Sequence, residues 1–130
     1  MLETKATLRI TSTVRTLSEL KDVLGQPSQG FSKGDLWGST GKLREKTLWA
    51  RESRSPRAAN IEVHLQEVCA FVDSVEAFEK IRKDCEIDFF CMLSTTNGQG
   101  GASLSHRLMG RMAALEIGLV LDIYGDSDES

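Results

Sequence analysis

The sequence lacks most of what marks an enzyme or metal site. It has two histidines and three cysteines, and they form neither a Cys-x-x-Cys nor a His-x-x-x-His pair, so we expect no metal site. No serine lies in a Gly-x-Ser-x-Gly context, and no Gly-Lys-Ser/Thr completes a phosphate loop. We therefore expect no cofactor and no catalytic constellation, and we interpret the cysteines as reduced thiols of a cytosolic protein.

Long apolar runs are also missing. No stretch approaches the ~20 apolar residues that a membrane span needs. Residues 1–5 lead directly into an alternating pattern, so we expect no signal peptide. The net charge of -3 disfavours nucleic acid as a partner. These absences predict a cytoplasmic protein that does not bind membranes.

What is present is a regular alternation of strand and helix patterns. Period-two or dense apolar segments predict strands at residues 6–14, 31–37, 47–53, 86–95 and 119–124. One helix follows the capping box of Thr16 and Glu19. A second helix follows Asn60 and has a break or restart near Ser74 as an open alternative. A third follows Ser103 or Ser105.

The resulting order, β-α-β-β-α-β-α-β, predicts an α+β two-layer sandwich. Its first six elements match the split β-α-β order of a ferredoxin-like core, with an added helix and strand. Residues 1–125 are predicted to form a single domain, and residues 126–130 an acidic disordered tail. In the second helix, Leu65 lies mid-stripe and is predicted to be buried. We assign His64 to the surface or the boundary of the core.

Residues 33–57 form a basic belt on this acidic chain, with seven basic residues against three acids. Such a belt is either a contact surface or a solvated loop. Trp37 and Trp49 flank the belt, where aromatic side chains can bind single-stranded nucleic acid or a partner protein. For Trp49 the favoured alternative is that it covers one face of the sheet, and for Trp37 both interpretations stay open. The candidate binding residues, taken from the belt and from the start of the third helix, are Lys33, Asp35, Trp37, Trp49, Arg51 and His106.

A glycine loop at residues 97–101 lies between the fourth strand and the third helix. Backbone amides there could receive an anion. The favoured interpretation is a tight loop in which Gly98, Gly100 or Gly101 adopts a positive φ.

Several short motifs occur together in one order. They are Thr7-Leu8-Arg9-Ile10, Leu24-Gly25-x-Pro27-Ser28, Lys33-Gly34-Asp35, Leu48-Trp49 with Glu52-Ser53, Gly98-Gln99-Gly100-Gly101 and Leu121-Asp122-Ile123-Tyr124. Over residues 6–124 the chain resembles the bacterial family known as domain of unknown function 4279. The resemblance implies a small α/β domain and transfers no catalytic residue. One departure is Ser105-His106, where the family commonly has Ser-Pro.

These observations favour a small cytosolic, non-enzymatic module that binds another protein, such as an immunity-type or accessory protein. The alternative is a small-molecule or anion binder, or a weak hydrolase, with a pocket between the Lys33-Gly34-Asp35 loop and the sheet. Nucleic-acid binding through the basic belt is the least favoured hypothesis.

Overall fold

The computed structural model describes residues 2–96 and 100–125. The strands are β1 (Leu2–Ser12), β2 (Gln29–Phe31), β3 (Thr47–Glu52), β4 (Glu86–Thr95) and β5 (Gly118–Gly125). The helices are α1 (Leu17–Leu24), α2 (Ile61–Ser74), α3 (Glu79–Arg82) and α4 (His106–Leu115). The predicted tail at residues 126–130 lies outside the described residues.

The strands form one sheet in the order β2-β3-β1-β4-β5. β1 pairs antiparallel with both β3 and β4, and β2 pairs antiparallel with β3. β5 is added parallel to β4, so the crossover through α4 joins parallel neighbours. The mixed sheet with its helices confirms the predicted α+β sandwich.

The termini of α1 and the start of α4 follow the sequence signals, whereas Asn60 before α2 makes no side-chain capping hydrogen bond. The Thr16 hydroxyl accepts from the Glu19 amide at 3.1 Å, and the Glu19 carboxylate accepts from the Thr16 amide at 3.0 Å. This capping box starts α1 as predicted. Gly25 ends that helix with a φ of 86°, and Ser105 caps α4 by accepting from the Leu108 amide. The break near Ser74 is present, because α2 ends there and α3 is a separate short helix.

All four helices contribute to one buried cluster on one face of the sheet. Even-numbered residues of β1 face this cluster, together with Trp49 of β3 and alternate residues of β4. Leu65 of α2 is fully buried, as predicted. The odd-numbered side chains of β1 therefore project from the opposite face of the sheet.

Two expectations are corrected. The second strand is at Gln29–Phe31 rather than at residues 31–37, because Gly34, with a φ of 93°, and the Asp35 carboxylate, which accepts from the Ser32 amide, turn the chain there. His64 is fully buried rather than at the surface. Of the three glycines for which a positive φ is predicted as alternatives, Gly101 does not have one, and Gly98 lies outside the described residues.

Within residues 2–96 and 100–125, no helix is long and apolar enough to cross a membrane.

Candidate functional site

The face of the sheet turned away from the helix cluster is a groove with a volume of about 720 Å³. We call it the open-face groove. Its lining side chains come from all five strands and the residue before β3: Lys5, Thr7, Arg9, Thr11, Gln29, Phe31, Lys46, Thr47, Leu48, Glu52, Glu86, Asp88, Phe90, Met92, Asp122 and Tyr124. The period-two alternation of the strands places the strand side chains among them, apart from Thr47, opposite the core.

Arg9 lies at the centre of the open-face groove. Its Nε and Nη2 donate to the two carboxylate oxygens of Asp88, each at 2.8 Å, because the two residues are direct partners in the β1–β4 register. The guanidinium also lies 4.3 Å from the centre of the Phe90 ring. The hydrogen bond to Asp88 raises the pKa of Arg9, outweighing the opposing effect of burial. Arg9 is therefore a fixed, charge-neutralised element of the groove.

The other two cations of the groove are also paired. Lys5 lies 3.3 Å from the Glu52 carboxylate, and Lys46 lies 3.7 Å from Glu86. The remaining lining carboxylate, Asp122, accepts from the Tyr124 hydroxyl at 2.5 Å. That hydrogen bond raises the pKa of Tyr124. Three cations and four carboxylates thus line the groove. This excess of negative charge disfavours the binding of a small anion.

Residues 32–46, between β2 and β3, form an extension that we call the arm. It is held by the Leu36–Leu43 bridge and by the Trp37 amide, which donates to the Lys42 carbonyl at 2.8 Å. The Arg44 guanidinium lies 3.9 Å from the Phe31 ring centre and 4.8 Å from that of Trp37. Backbone pairing and stacking together give the arm a defined shape.

The tip of the arm presents apolar surface. Leu36, Trp37 and Leu43 are exposed by 69%, 52% and 57%. Phe31 and Lys46 line both the open-face groove and the cavity of about 560 Å³ beside the arm. The arm and the groove are therefore one continuous surface.

Three of the candidate residues predicted from the sequence lie in the arm. The Lys33 ammonium donates to the Thr13 carbonyl at 3.2 Å, and the Asp35 carboxylate accepts from the Ser32 amide at 2.8 Å. Both contacts hold the base of the arm. Trp37 lies further along the arm and is half exposed.

The other three candidate residues are not part of this surface. Trp49 is fully buried in the core, where it stacks on Phe71 of α2 and its Nε1 donates to the Gly25 carbonyl at 2.9 Å. Arg51 lies 4.4 Å from the Phe71 ring centre, on the helix-covered side. His106 is exposed at the first turn of α4. The structure therefore divides the six residues among separate locations.

Ser53 and His64 form a buried pair that the sequence patterns did not predict. The Ser53 Oγ lies 2.6 Å from His64 Nδ1, and His64 Nε2 lies 2.9 Å from the Pro56 carbonyl. Because a carbonyl can only accept, Nε2 carries the proton and the Ser53 hydroxyl donates to Nδ1. Ser53 Oγ also accepts from the Ala6 amide at 3.1 Å. This closed network fastens the loop after β3 to α2 and β1.

A signal for this pair was present in the sequence. His64 follows Ile61 by three residues and precedes Val68 by four, so it lies on the apolar stripe of α2. A polar side chain on such a stripe needs buried partners, and Ser53 and Pro56 supply them.

The comparison with known families identifies the fold family. A family model described as Domain of unknown function (DUF4279) matches residues 2–126. The chain belongs to this family. The match confirms the resemblance carried by the ordered motifs, and its range includes every strand of the open-face groove and the whole arm. No curated protein and no solved structure matches the chain.

Among the residues that the structure describes, no cluster of three or more histidine, cysteine or acidic side chains is placed to hold a metal ion. Cys69 and Cys91 are fully buried, and burial raises the pKa of Cys91 to about 12. Neither thiol is therefore suited to act as a thiolate.

Proposed function

We propose that this protein is a cytosolic, non-enzymatic module that binds another protein through the arm and the open-face groove. The observation that carries the proposal is the joint exposure of Leu36, Trp37 and Leu43 on an arm of defined shape. Clustered exposed apolar side chains mark interaction sites, and tryptophan is among the residues that contribute most to protein–protein affinity. An immunity-type or accessory protein is one form that such a module takes.

The charges around this surface describe the partner. Lys42 and Lys46 line the cavity beside the arm, whereas Asp122 lines the groove on β5, at the opposite edge of the sheet. A partner with acidic groups against the arm and basic groups against the groove would be complementary. Complementary charges of this kind accelerate association and set the orientation of the partner.

The alternative, a binder of small anions, has less support. Each cation that lines the groove is within 4 Å of a carboxylate that also lines it, so an anion would have to compete with these ion pairs. A hydrolase has less support still, because Ser53 and His64 are buried and hydrogen-bonded within their own network.

Capture experiments from the native host at low salt test the proposal. The immobilised wild-type protein is compared with a Trp37→Ala/Leu43→Ala double variant and with Val63→Ala, a matched control whose side chain is 44% exposed on α2. We expect wild type and Val63→Ala to retain the same partner and the double variant to lose it. Once the partner is purified, Trp37→Ala should weaken its binding by about 2 kcal/mol, roughly 30-fold.

Two results would contradict the proposal. One is retention of the partner by the double variant at wild-type affinity. The other is recovery of no partner by the wild-type protein together with turnover in a screen of candidate substrates.

A further inference from the structure

β5 leaves one edge of the sheet open. It pairs with β4 from Gly118 to Gly125, and within residues 2–96 and 100–125 no strand lies on its other side. The opposite edge of the sheet is β2, which is only three residues long. Short edge strands, prolines and lysines are devices that limit association at an edge. β5 has eight residues and contains neither proline nor lysine.

The same strand carries exposed apolar side chains on both faces. Leu119, Leu121 and Ile123 lie on the helix side and are exposed by 37%, 53% and 69%. Val120 and Tyr124 lie on the groove side and are exposed by 37% and 53%. An open backbone edge that is flanked by apolar side chains on both faces is suited to accept another strand.

We propose that β5 pairs antiparallel with β5 of a second copy of this chain, giving a two-fold homodimer with one continuous sheet. A two-fold interface requires a surface that is complementary to itself. The sequence of β5 meets that requirement, because the residues two positions before and two positions after Leu121, Leu119 and Ile123, are both apolar. Pairing about Leu121 places Leu119 opposite Ile123 of the second copy on the helix side.

The single charge on β5 selects the register. A two-fold axis through Leu121 places each Asp122 opposite Val120 of the other copy. An axis through Asp122 would place two carboxylates directly opposite each other, which destabilises a strand pair. An axis between these two residues would oppose side chains from different faces. Axes through residues nearer either end of β5 would pair fewer residues than the seven, Gly118 to Tyr124, that pair about Leu121. The axis therefore passes through Leu121.

The dimer would extend the open-face groove without occupying it. Asp122 and Tyr124 line the groove, so the grooves of the two copies would lie side by side across the new strand pair. The proposal does not depend on the arm, and the two proposals can fail separately.

Analytical ultracentrifugation of the full chain tests the dimer. We expect a species of twice the chain mass of 14.4 kDa at micromolar concentration. Leu121→Lys places two ammonium groups opposite each other at the axis and should give a monomer. The matched control Val63→Lys, on exposed α2 surface, should remain dimeric. A monomeric wild type, or a folded Leu121→Lys variant that still dimerises, would overturn the proposal.

Disulfide trapping tests the register and does not require the Leu121→Lys variant to fold. Directly opposite residues in an antiparallel pair have Cα atoms about 4.5–5.5 Å apart, within the range that a disulfide spans. In a Cys85→Ser/Cys91→Ala background, which removes the thiol beside residue 121 in the same chain, Leu121→Cys should cross-link under mild oxidation, because only the residue on the axis meets itself. Asp122→Cys should cross-link far less. Efficient trapping at residue 122 but not at 121, or at neither, would overturn the Leu121 axis.

Discussion

The two faces of the sheet are built from the same strands but follow different rules. On β1, Leu8 is fully buried beneath the helices, while the next residue, Arg9, faces the groove and pairs with Asp88. The covered face is specified by close packing. The open face instead holds ion pairs and aromatic rings that a stable core does not require. Substitutions on the covered face should therefore cost stability, and substitutions on the open side should mainly affect binding.

The largest effect on stability is expected at Trp49. Trp49→Ala removes a fully buried indole, its stacking on Phe71 and its hydrogen bond to the Gly25 carbonyl. We expect the free energy of unfolding to fall by about 3–5 kcal/mol, a large share of a total of about 5–15 kcal/mol. Urea denaturation measures the change. A loss below about 1 kcal/mol would mean that Trp49 does not belong to the covered face.

The second effect concerns the buried polar pair. His64→Ala leaves the Ser53 hydroxyl and the Pro56 carbonyl without their buried partner, at an expected cost of about 1–3 kcal/mol. Ser53→Ala should cost a similar amount, because it frees His64 Nδ1 and the Ala6 amide. The double variant should lose less than the sum of the two single losses, since both break one network. Strict additivity in the denaturation data would contradict the proposed network.

These two sites show how far the sequence predicts the structure. Period-two alternation, helical stripes and the capping box predicted most elements and the burial of Leu65, because each is a local signal. The partners of His64, Ser53 and Pro56, lie in the loop after β3, so the sequence showed only the place of His64 on the apolar stripe. Alternation along β3 shows that Trp49 and Leu48 point to opposite faces of the sheet. It does not say which of these faces the helices cover, so the burial of Trp49 did not follow from the sequence.

The candidate site was harder to predict than the fold. Lys33, Asp35 and Trp37 do belong to the arm, but Arg51 lies on the other side of the sheet and His106 lies in α4. The groove depends on pairs such as Arg9 with Asp88, which are 79 residues apart in sequence. Their contact is set by the β1–β4 register, and a single sequence without a partner strand does not reveal it.

A smaller, pH-dependent effect is expected at Glu67 of α2. Burial alone would raise the pKa of Glu67, but hydrogen bonds from the Arg54 amide and from the Ser55 amide and hydroxyl together lower it below the ordinary value of 4.5. Its contribution to stability is therefore present above about pH 4.5 and is lost as the pH falls through the lowered pKa.

Glu67→Gln tests this linkage. At neutral pH the variant should be less stable than wild type by about 1 kcal/mol, and the difference should shrink as the pH falls below about 4.5. Chemical denaturation across that range measures it. Glu76→Gln, on the exposed surface after α2, serves as the control and should not change the pH profile. A difference between Glu67→Gln and wild type that stays constant with pH would contradict the assignment.

The smallest effect on stability is expected at Trp37, and it gives the sharpest contrast with Trp49. Trp37 is half exposed and its described ring contact is with Arg44, which also stacks on Phe31. Trp37→Ala should therefore change the free energy of unfolding by at most about 1 kcal/mol. The same variant should weaken partner binding by an amount that this small loss does not explain. Denaturation and binding measured on one preparation separate the two. A stability loss near that of Trp49→Ala would make Trp37 a structural residue and remove the main support for the arm as a binding surface.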